Sequence, residues 1–311
     1  MNQVFDFLRA RWKTAVNACQ RVFDRVMNRL RPNRPKLDIL TKRDQSAPAA
    51  SRNQKSAQST ARPAQSIKPY TEELMLGEEI RVYAIGDIHG RSDLLVDLLD
   101  KVDADCEGVS GEVHLVMLGD YIDRGLQSRQ VVEVLLSNRM DRYITHYLKG
   151  NHEDAILSFM TDPEFGPRWA AYGGRETLVS YGVKPPRSMA LSEDWHRAHD
   201  AFLKSIPMTH QNFYRHLKTS VRLGGYGFVH AGLRPGVVFA DQDDRDLMWI
   251  RDEFLQDKSS FDVFVIHGHT PVDAPHRDHR RINVDTGAYF TGRLTAVRLE
   301  GNSVEFISTE T

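Results

Sequence analysis

The residues best suited to chemistry lie on the loop Gly119-Asp120-Tyr121-Ile122-Asp123-Arg124-Gly125, where two carboxylates and a guanidinium directly follow the apolar run 113–118. Four further runs end in the same manner. Residues 80–85 lead into Gly86-Asp87-Ile88-His89-Gly90, and residues 143–148 lead into Gly150-Asn151-His152-Glu153. Phe228-Val229 runs into His230-Ala231-Gly232, and residues 261–266 run into His267-Gly268-His269-Thr270. Imidazole and carboxylate suit Zn, Fe or Mn, and one aspartate flanked by such groups can bridge two ions about 3.5–4 Å apart. A lone Asp-x-His is weak evidence, whereas five coincident run ends presenting Asp, His or Asn are not. Asp120 is expected at the hub of a metal site.

Loops of this kind need a frame, and the ends of buried strands in α/β proteins are where ligand-binding groups collect. The pattern supplies one. Strands are expected at 80–85, 113–118 and 143–148, separated by helices around 92–102 and 128–139, an alternation that indicates an α/β sheet. Helical periodicity dominates 153–206, broken at Pro163, Pro167 and Pro185-Pro186. Residues 213–223 and 226–229 read as a hairpin about Gly224-Gly225, and late strands are expected at 261–266, 281–284, 294–299 and 304–307. The expected fold class is α/β, with two stacked mixed β-sheets flanked by helices.

The net charge of −1 conceals two segments of opposite sign. Residues 1–69 hold 15 Lys and Arg against 4 Asp, leaving 26 against 38 acidic residues for 70–311. This is the balance of a basic arm on an acidic body. Two cysteines, Cys19 and Cys106, make a disulfide framework improbable and fit a reducing compartment. No apolar run approaches the roughly 18 residues needed to span a bilayer, and charges at Asp6, Arg9, Arg11 and Lys13 interrupt any secretory signal. A cytoplasmic body is expected.

Within residues 1–31, Phe5, Leu8, Trp12, Val16, Cys19, Phe23, Val26 and Leu30 share one helical face, with Arg9, Lys13, Arg21 and Arg25 opposite. Such a basic amphipathic helix suits an anionic membrane, with a peripheral location at its inner face, or a partner protein; docking on its own body and an organellar transit role are the alternatives. Residues 32–69 read as a disordered Ser/Ala/Gln/Pro-rich linker, since 41–66 contain no Leu, Ile, Val, Met or aromatic residue to bury. Residues 70–311 are expected to form the catalytic domain.

In their order, the motifs GDIHG, GDYIDRG, GNHE, HAG and HGHT resemble the phosphoprotein phosphatase branch of the calcineurin-like metallophosphoesterases, closest to bacterial and bacteriophage lambda-type serine/threonine phosphatases. The resemblance spans residues 80–299. It implies a four-layer α/β/β/α fold and two divalent metal ions, with Mn the first expectation and Fe or Zn the alternatives. It implies that Asp87 and His89 bind the first ion, that Asp120 bridges, and that Asn151, His230 and His269 complete the second. By the same resemblance His152 is the general acid, Asp123 orients it, and Arg124 and Arg251 grip phosphate. The implied activity is hydrolysis of phosphate monoesters, above all phosphoserine and phosphothreonine of proteins or peptides, by direct attack of a hydroxide held between the metals. Nucleic acid is not an expected partner.

Two other functions remain in view. A symmetrical diadenosine tetraphosphate hydrolase shares most motifs, but that group resembles Ala-Arg-Gly at Asp123-Arg124-Gly125 and carries Asp at Glu153. A non-catalytic phosphate-binding scaffold is the other. Individual residues also have plainer readings: Asp123 and Arg124 as a surface ion pair, Asn151 as a helix cap, and His267 as a bystander to His269. Residues 168–181, with Trp169, Tyr172, Gly173 and Gly174, are where a substrate-shaping cap is expected. The run from His276 to Arg281 reads as a solvated basic loop.

Overall fold

Side chains alternate along β1 (Ile80–Ile85): Tyr83 and Ile85 enter one core, and Val82 and Ala84 enter another. That two-sided burial sets the layering. The computed structural model describes residues 76, 77, 79–187 and 190–309; the helix expected over 1–31 and the linker expected over 32–69 lie outside them. The first sheet has the order β10-β9-β1-β2-β3, with β2 at Glu112–Met117, β3 at Ile144–Tyr147, β9 at Thr295–Glu300 and β10 at Ser303–Ser308. Within it β1, β2 and β3 are parallel, and β9 and β10 are antiparallel. The second sheet has the order β4-β5-β6-β8-β7, built from Ser220–Leu223, Tyr226–Val229, Phe264–His267, Arg281–Asn283 and His276–Arg277 for β4, β5, β6, β8 and β7. Here β5, β6 and β8 are parallel.

Both sheets are therefore mixed, and an apolar core lies between them. Val116, Leu118 and Leu148 from the first sheet meet Phe228, Ile266 and Ile282 from the second. The outer face of the first sheet packs on helices α1 (Ser92–Asp105), α2 (Ser128–Leu135) and α3 (Asn151–Thr161), which present Leu95, Leu99, Val132 and Ile156. Leu247 and Phe254, from the short helices Asp244–Trp249 and Asp252–Gln256, cover the far face of the second sheet. The architecture is helix, sheet, sheet, helix. Among the described residues no helix is long and apolar enough to cross a membrane.

Two expectations need correction. Residues 208–215 form a helix, Met208–Arg215, so only 220–223 of the expected strand 213–223 is extended. The aromatic pair Phe213-Tyr214 suggested a strand, but with His210 and Gln211 it buries one helical face. The expected basic loop also contains a short edge strand, β7, paired with β8 through Arg277 and Ile282.

Candidate active site and metal centre

Five non-glycine residues among those described adopt left-handed φ: His89, Asp120, Asp123, Arg124 and His269. Every one is a candidate site residue. Each such conformation costs on the order of 1–3 kcal/mol and persists only where the surroundings enforce it. Close backbone packing does so here. A Cβ on Gly150 would lie 2.2 Å from Asp120 Oδ1, and one on Gly268 would lie 2.2 Å from Asp87 Oδ1. Glu153 adds a clamp: its carboxylate accepts from the backbone N–H groups of Asp120 (2.8 Å), Tyr121 (2.9 Å) and Gly150 (3.0 Å). Thus the loop after β2 is tied to the start of α3.

The parallel strands of both sheets direct their C-terminal ends to one place. Two sets of three side chains there have ligand atoms within 4.8 Å of one another, His89, Asp120 and His152 in one, and Asp120, His230 and His269 in the other. Asp120 belongs to both, as a bridging carboxylate must. Its Oδ2 lies 3.5 Å from His89 Nε2, and its Oδ1 lies 3.4 Å from His230 Nε2. Asn151, the first residue of α3, turns its Oδ1 to within 3.0 Å of His230 Nε2 and makes no cap to its own helix. Asp87 falls in neither set. Both its oxygens accept from the His269 N–H, at 3.1 Å each.

Hydrogen bonding fixes the tautomers. His89 Nδ1 donates to Ile122 O (2.9 Å) and His230 Nδ1 donates to Leu118 O (3.0 Å), so each neutral ring aims an Nε2 lone pair inward. His230 Nε2 then faces Asn151 Oδ1 at 3.0 Å and Asp120 Oδ1 at 3.4 Å as acceptor to acceptor, with His269 Nδ1 3.1 Å away and the His152 N–H reaching only the Asp120 oxygen. Burial also lowers the pKa of His230, which disfavours solving the conflict by protonation. His269 Nε2 is buried without a hydrogen-bond partner. A cation is the group this donor set fits.

The charges agree. Asp87, Asp120, Asp123, Glu153 and Asp285 are all the buried carboxylates among the described residues, and all five lie at these strand ends. Burial, with Asp285 and Asp120 nearby, holds the Asp87 carboxyl well above its usual range. Burial pushes Glu153 up to about 8 and Asp285 up to about 6, with the charge of Asp120 adding to both. Burial would raise Asp120 too, but His230, His152, His89 and Arg124 outweigh it and hold its pKa down. A divalent cation would stabilise the whole group.

Beside these sets, His152 Nδ1 donates to Asp123 Oδ2 at 2.6 Å. Arg124 lies across the two imidazoles of the first set, donating from Nη1 to His89 Nε2 (2.9 Å) and from Nη2 to His152 Nε2 (3.1 Å), with its guanidinium over the Tyr289 ring. Arg251 serves the other set: after burial, its charge is the largest influence lowering the His269 pKa. His267 is turned away, its Nε2 accepting from Arg281 Nη1 at 2.9 Å and its Nδ1 donating to Gly268 O at 3.0 Å.

Sequence reasoning overlooked Asp285. The strand expected at 281–284 leads into Asp285-Thr286-Gly287 in the manner of the other five, but its Arg281-Ile282-Asn283-Val284 is only half apolar and marks a strand end weakly. The expected cap over 168–181 is also different in kind: Trp169 and Thr177 are fully buried and bonded to Asp123.

Known proteins bear on this geometry. Residues 80–307 match the model of the calcineurin-like phosphoesterases. The asymmetrical bis(5'-nucleosyl)-tetraphosphatase PrpE of Halalkalibacterium halodurans is 28% identical over 240 residues, covering 72% of this chain and 91% of that protein. The protein of the same description from a Geobacillus species is 30% identical over 242 residues, covering 70% and 90%. A solved structure provisionally assigned as a diadenosine tetraphosphatase superposes with a TM-score of 0.51 at 19% identity, covering 74% of this chain and 94% of that one, a likeness of fold. Strand order, site and similarity agree that this chain is a member of the calcineurin-like phosphoesterase family.

Proposed function

We propose that the protein is a metal-dependent phosphohydrolase that cleaves a dinucleoside tetraphosphate asymmetrically. The observation that carries this reading is similarity extending over nine-tenths of the length of relatives described as asymmetrical tetraphosphatases. Asp123 and Glu153 depart from the symmetrical hydrolases, and that departure does not weigh against an asymmetrical one.

His89 and Asp120, with Asp87 beside them, would hold one divalent cation, and Asp120, Asn151, His230 and His269 a second; Mn, Fe and Zn all suit these ligands. Such ions supply a nucleophilic hydroxide near neutral pH and offset phosphate charge. The chain's own residues do the rest. Arg124 presents two donors side by side, the fork that matches a phosphate bidentately. A phosphate oxyanion is a stronger acceptor than a neutral imidazole, so substrate would draw both donors off and free His152 Nε2. Arg251 would neutralise charge from the opposite side.

A second reading has a specific observation behind it. The 2.6 Å bond between His152 and Asp123 is the arrangement of a general acid with its orienting carboxylate. A nucleotide leaves as a weakly basic phosphate oxygen and needs little protonation, whereas the alkoxide of serine or threonine needs it greatly. Phosphomonoester hydrolysis, including phosphoserine and phosphothreonine in proteins, is therefore the alternative.

The test is a substrate panel with the full chain and Mn, Zn or chelator, comparing diadenosine tetraphosphate, phosphopeptides and p-nitrophenyl phosphate. The first reading expects ATP and AMP from the tetraphosphate at a higher kcat/KM than any monoester. Two ADP per substrate, or faster phosphopeptide cleavage, overturns it.

A further inference from the structure

The segment 166–180 reaches into the site from outside the strand-end motifs. It comprises a helical turn Gly166–Trp169, a wide π-type turn Ala170–Gly174 and a helix Arg175–Ser180. Wide turns of this type insert an extra residue into a helix and are concentrated at functional sites. Here the irregularity centres on Gly173, at φ 107°, a value that favours glycine. A Cβ there would lie 2.5 Å from Arg124 N.

Four bonds join this segment to the two consecutive left-handed residues of the hub loop. Trp169 Nε1 donates to Asp123 Oδ2 at 2.9 Å, Thr177 Oγ1 donates to Asp123 Oδ1 at 2.6 Å, and Gly173 O accepts from Arg124 N at 3.1 Å. Thr177 Oγ1 also accepts from Asp123 N at 3.0 Å. With His152, the Asp123 carboxylate thus receives three donors, two on Oδ2 and one on Oδ1, in a place sealed from water. An indole N–H can only donate and an ionised carboxylate can only accept, so three donors suit Asp123 as the carboxylate with the N–H on His152 Nδ1. The imidazole plane is set by a carboxylate bonded at both oxygens.

We infer that Trp169 and Thr177 are positioning residues for proton transfer, acting through Asp123 to hold the His152 ring with Nδ1–H on the carboxylate and Nε2 toward the leaving oxygen. The proton delivered is then a second one, taken from solvent at Nε2 once Arg124 turns to phosphate. This rests on the reading of His152 as the proton donor. Both side chains bond to Asp123 and belong to neither set of ligand atoms, and neither contact is visible in the motif order. Trp169 also packs on Phe159 and Phe202, so its ring has a structural task separable from its N–H.

The separating measurement is leaving-group dependence. Phenyl phosphate has the more basic leaving oxygen, and p-nitrophenyl phosphate needs little help. For Thr177→Val and Trp169→Phe in the metal-loaded full chain, kcat on phenyl phosphate is expected to fall about tenfold more than kcat on p-nitrophenyl phosphate, the scale of one bond to a charged acceptor. KM and metal content are expected to hold, and Thr177→Ser is expected to restore the ratio. General loosening or loss of metal would depress both substrates alike, which overturns the inference. His152→Asn is the control for the underlying reading. If it leaves the ratio unchanged, His152 is not the acid; if it lowers the ratio while the Thr177 and Trp169 variants do not, His152 stands and the positioning inference falls. As a readout independent of turnover, the downfield N–H proton resonance of His152 should move in Thr177→Val and return in Thr177→Ser; an unmoved resonance overturns the inference.

Discussion

The two sides of Asp120 solve the same electrostatic problem differently. On the side of the first sheet, His89 and His152 turn their Nε2 atoms to Arg124, so the chain supplies its own cation and both lone pairs are satisfied. On the other side, His230 Nε2 has Asn151 Oδ1, His269 Nδ1 and Asp120 Oδ1 around it at 3.0, 3.1 and 3.4 Å, a ring of ligand-type atoms. One half can exchange a guanidinium for substrate or metal; the other is arranged for a cation alone. The lesson is that two ligand sets sharing one carboxylate need not be equal in their affinity for a cation. The half with His230 and His269 should hold its ion more tightly, because Arg124 does not have to leave its imidazoles first.

The largest effect that could break this comparison is loss of the shared carboxylate. Asp120→Asn removes the negative charge common to both sets and is expected to lower kcat by about a thousandfold, corresponding to the several kcal/mol that metal-held charge stabilisation is worth. Metal analysis after desalting should show loss of both ions. Retention of one full equivalent would show that the halves do not share Asp120.

The next variants ask which half is tighter. His230→Ala is expected to abolish the tightly held equivalent, whereas His89→Ala should leave it and weaken only the second, as read by titration with Mn in the presence of a competing chelator. The reverse order would invert the comparison. Arg124→Lys keeps the charge but loses the fork that spans both imidazoles. It is expected to raise KM for phosphate substrates about tenfold, the scale of one bond to a charged acceptor, with metal content unchanged.

How much of this the sequence revealed depends on whether a contact is local. Asp87, His89, Asp120, Asn151, His230 and His269 each sit one to four residues beyond an apolar run, so strand periodicity located them. Asp285 obeys the same grammar. Glu153 could be read only as a mark that separates relatives, because its three bonds reach back to the backbone of residues 120 and 121 as well as 150. Trp169 and Thr177 meet Asp123 across 46 and 54 residues through an irregular turn that no periodicity announces. Misreading 213–215 as strand has a similar origin, since aromatic content favours β-structure until one knows which face is buried.

The smallest expected effect tests whether backbone packing itself distinguishes the halves. Gly150 and Gly268 make equally close approaches, at 2.2 Å, but to different carboxylates: Asp120 Oδ1, which both halves share, and Asp87 Oδ1, which the His269 N–H already holds. An added methyl must push the carboxylate aside or shift the backbone, and in Gly150→Ala either movement disturbs both ions. Gly268→Ala displaces Asp87 and strains only its own strand end. Supporting groups around metal ligands typically govern affinity by about 10–100-fold. Gly150→Ala should therefore weaken both metal equivalents by about that factor, and Gly268→Ala only one, with melting temperatures measured in parallel to exclude general unfolding. If both variants weaken both ions equally, the two strand ends move as one body, and the asymmetry lies in the side chains alone.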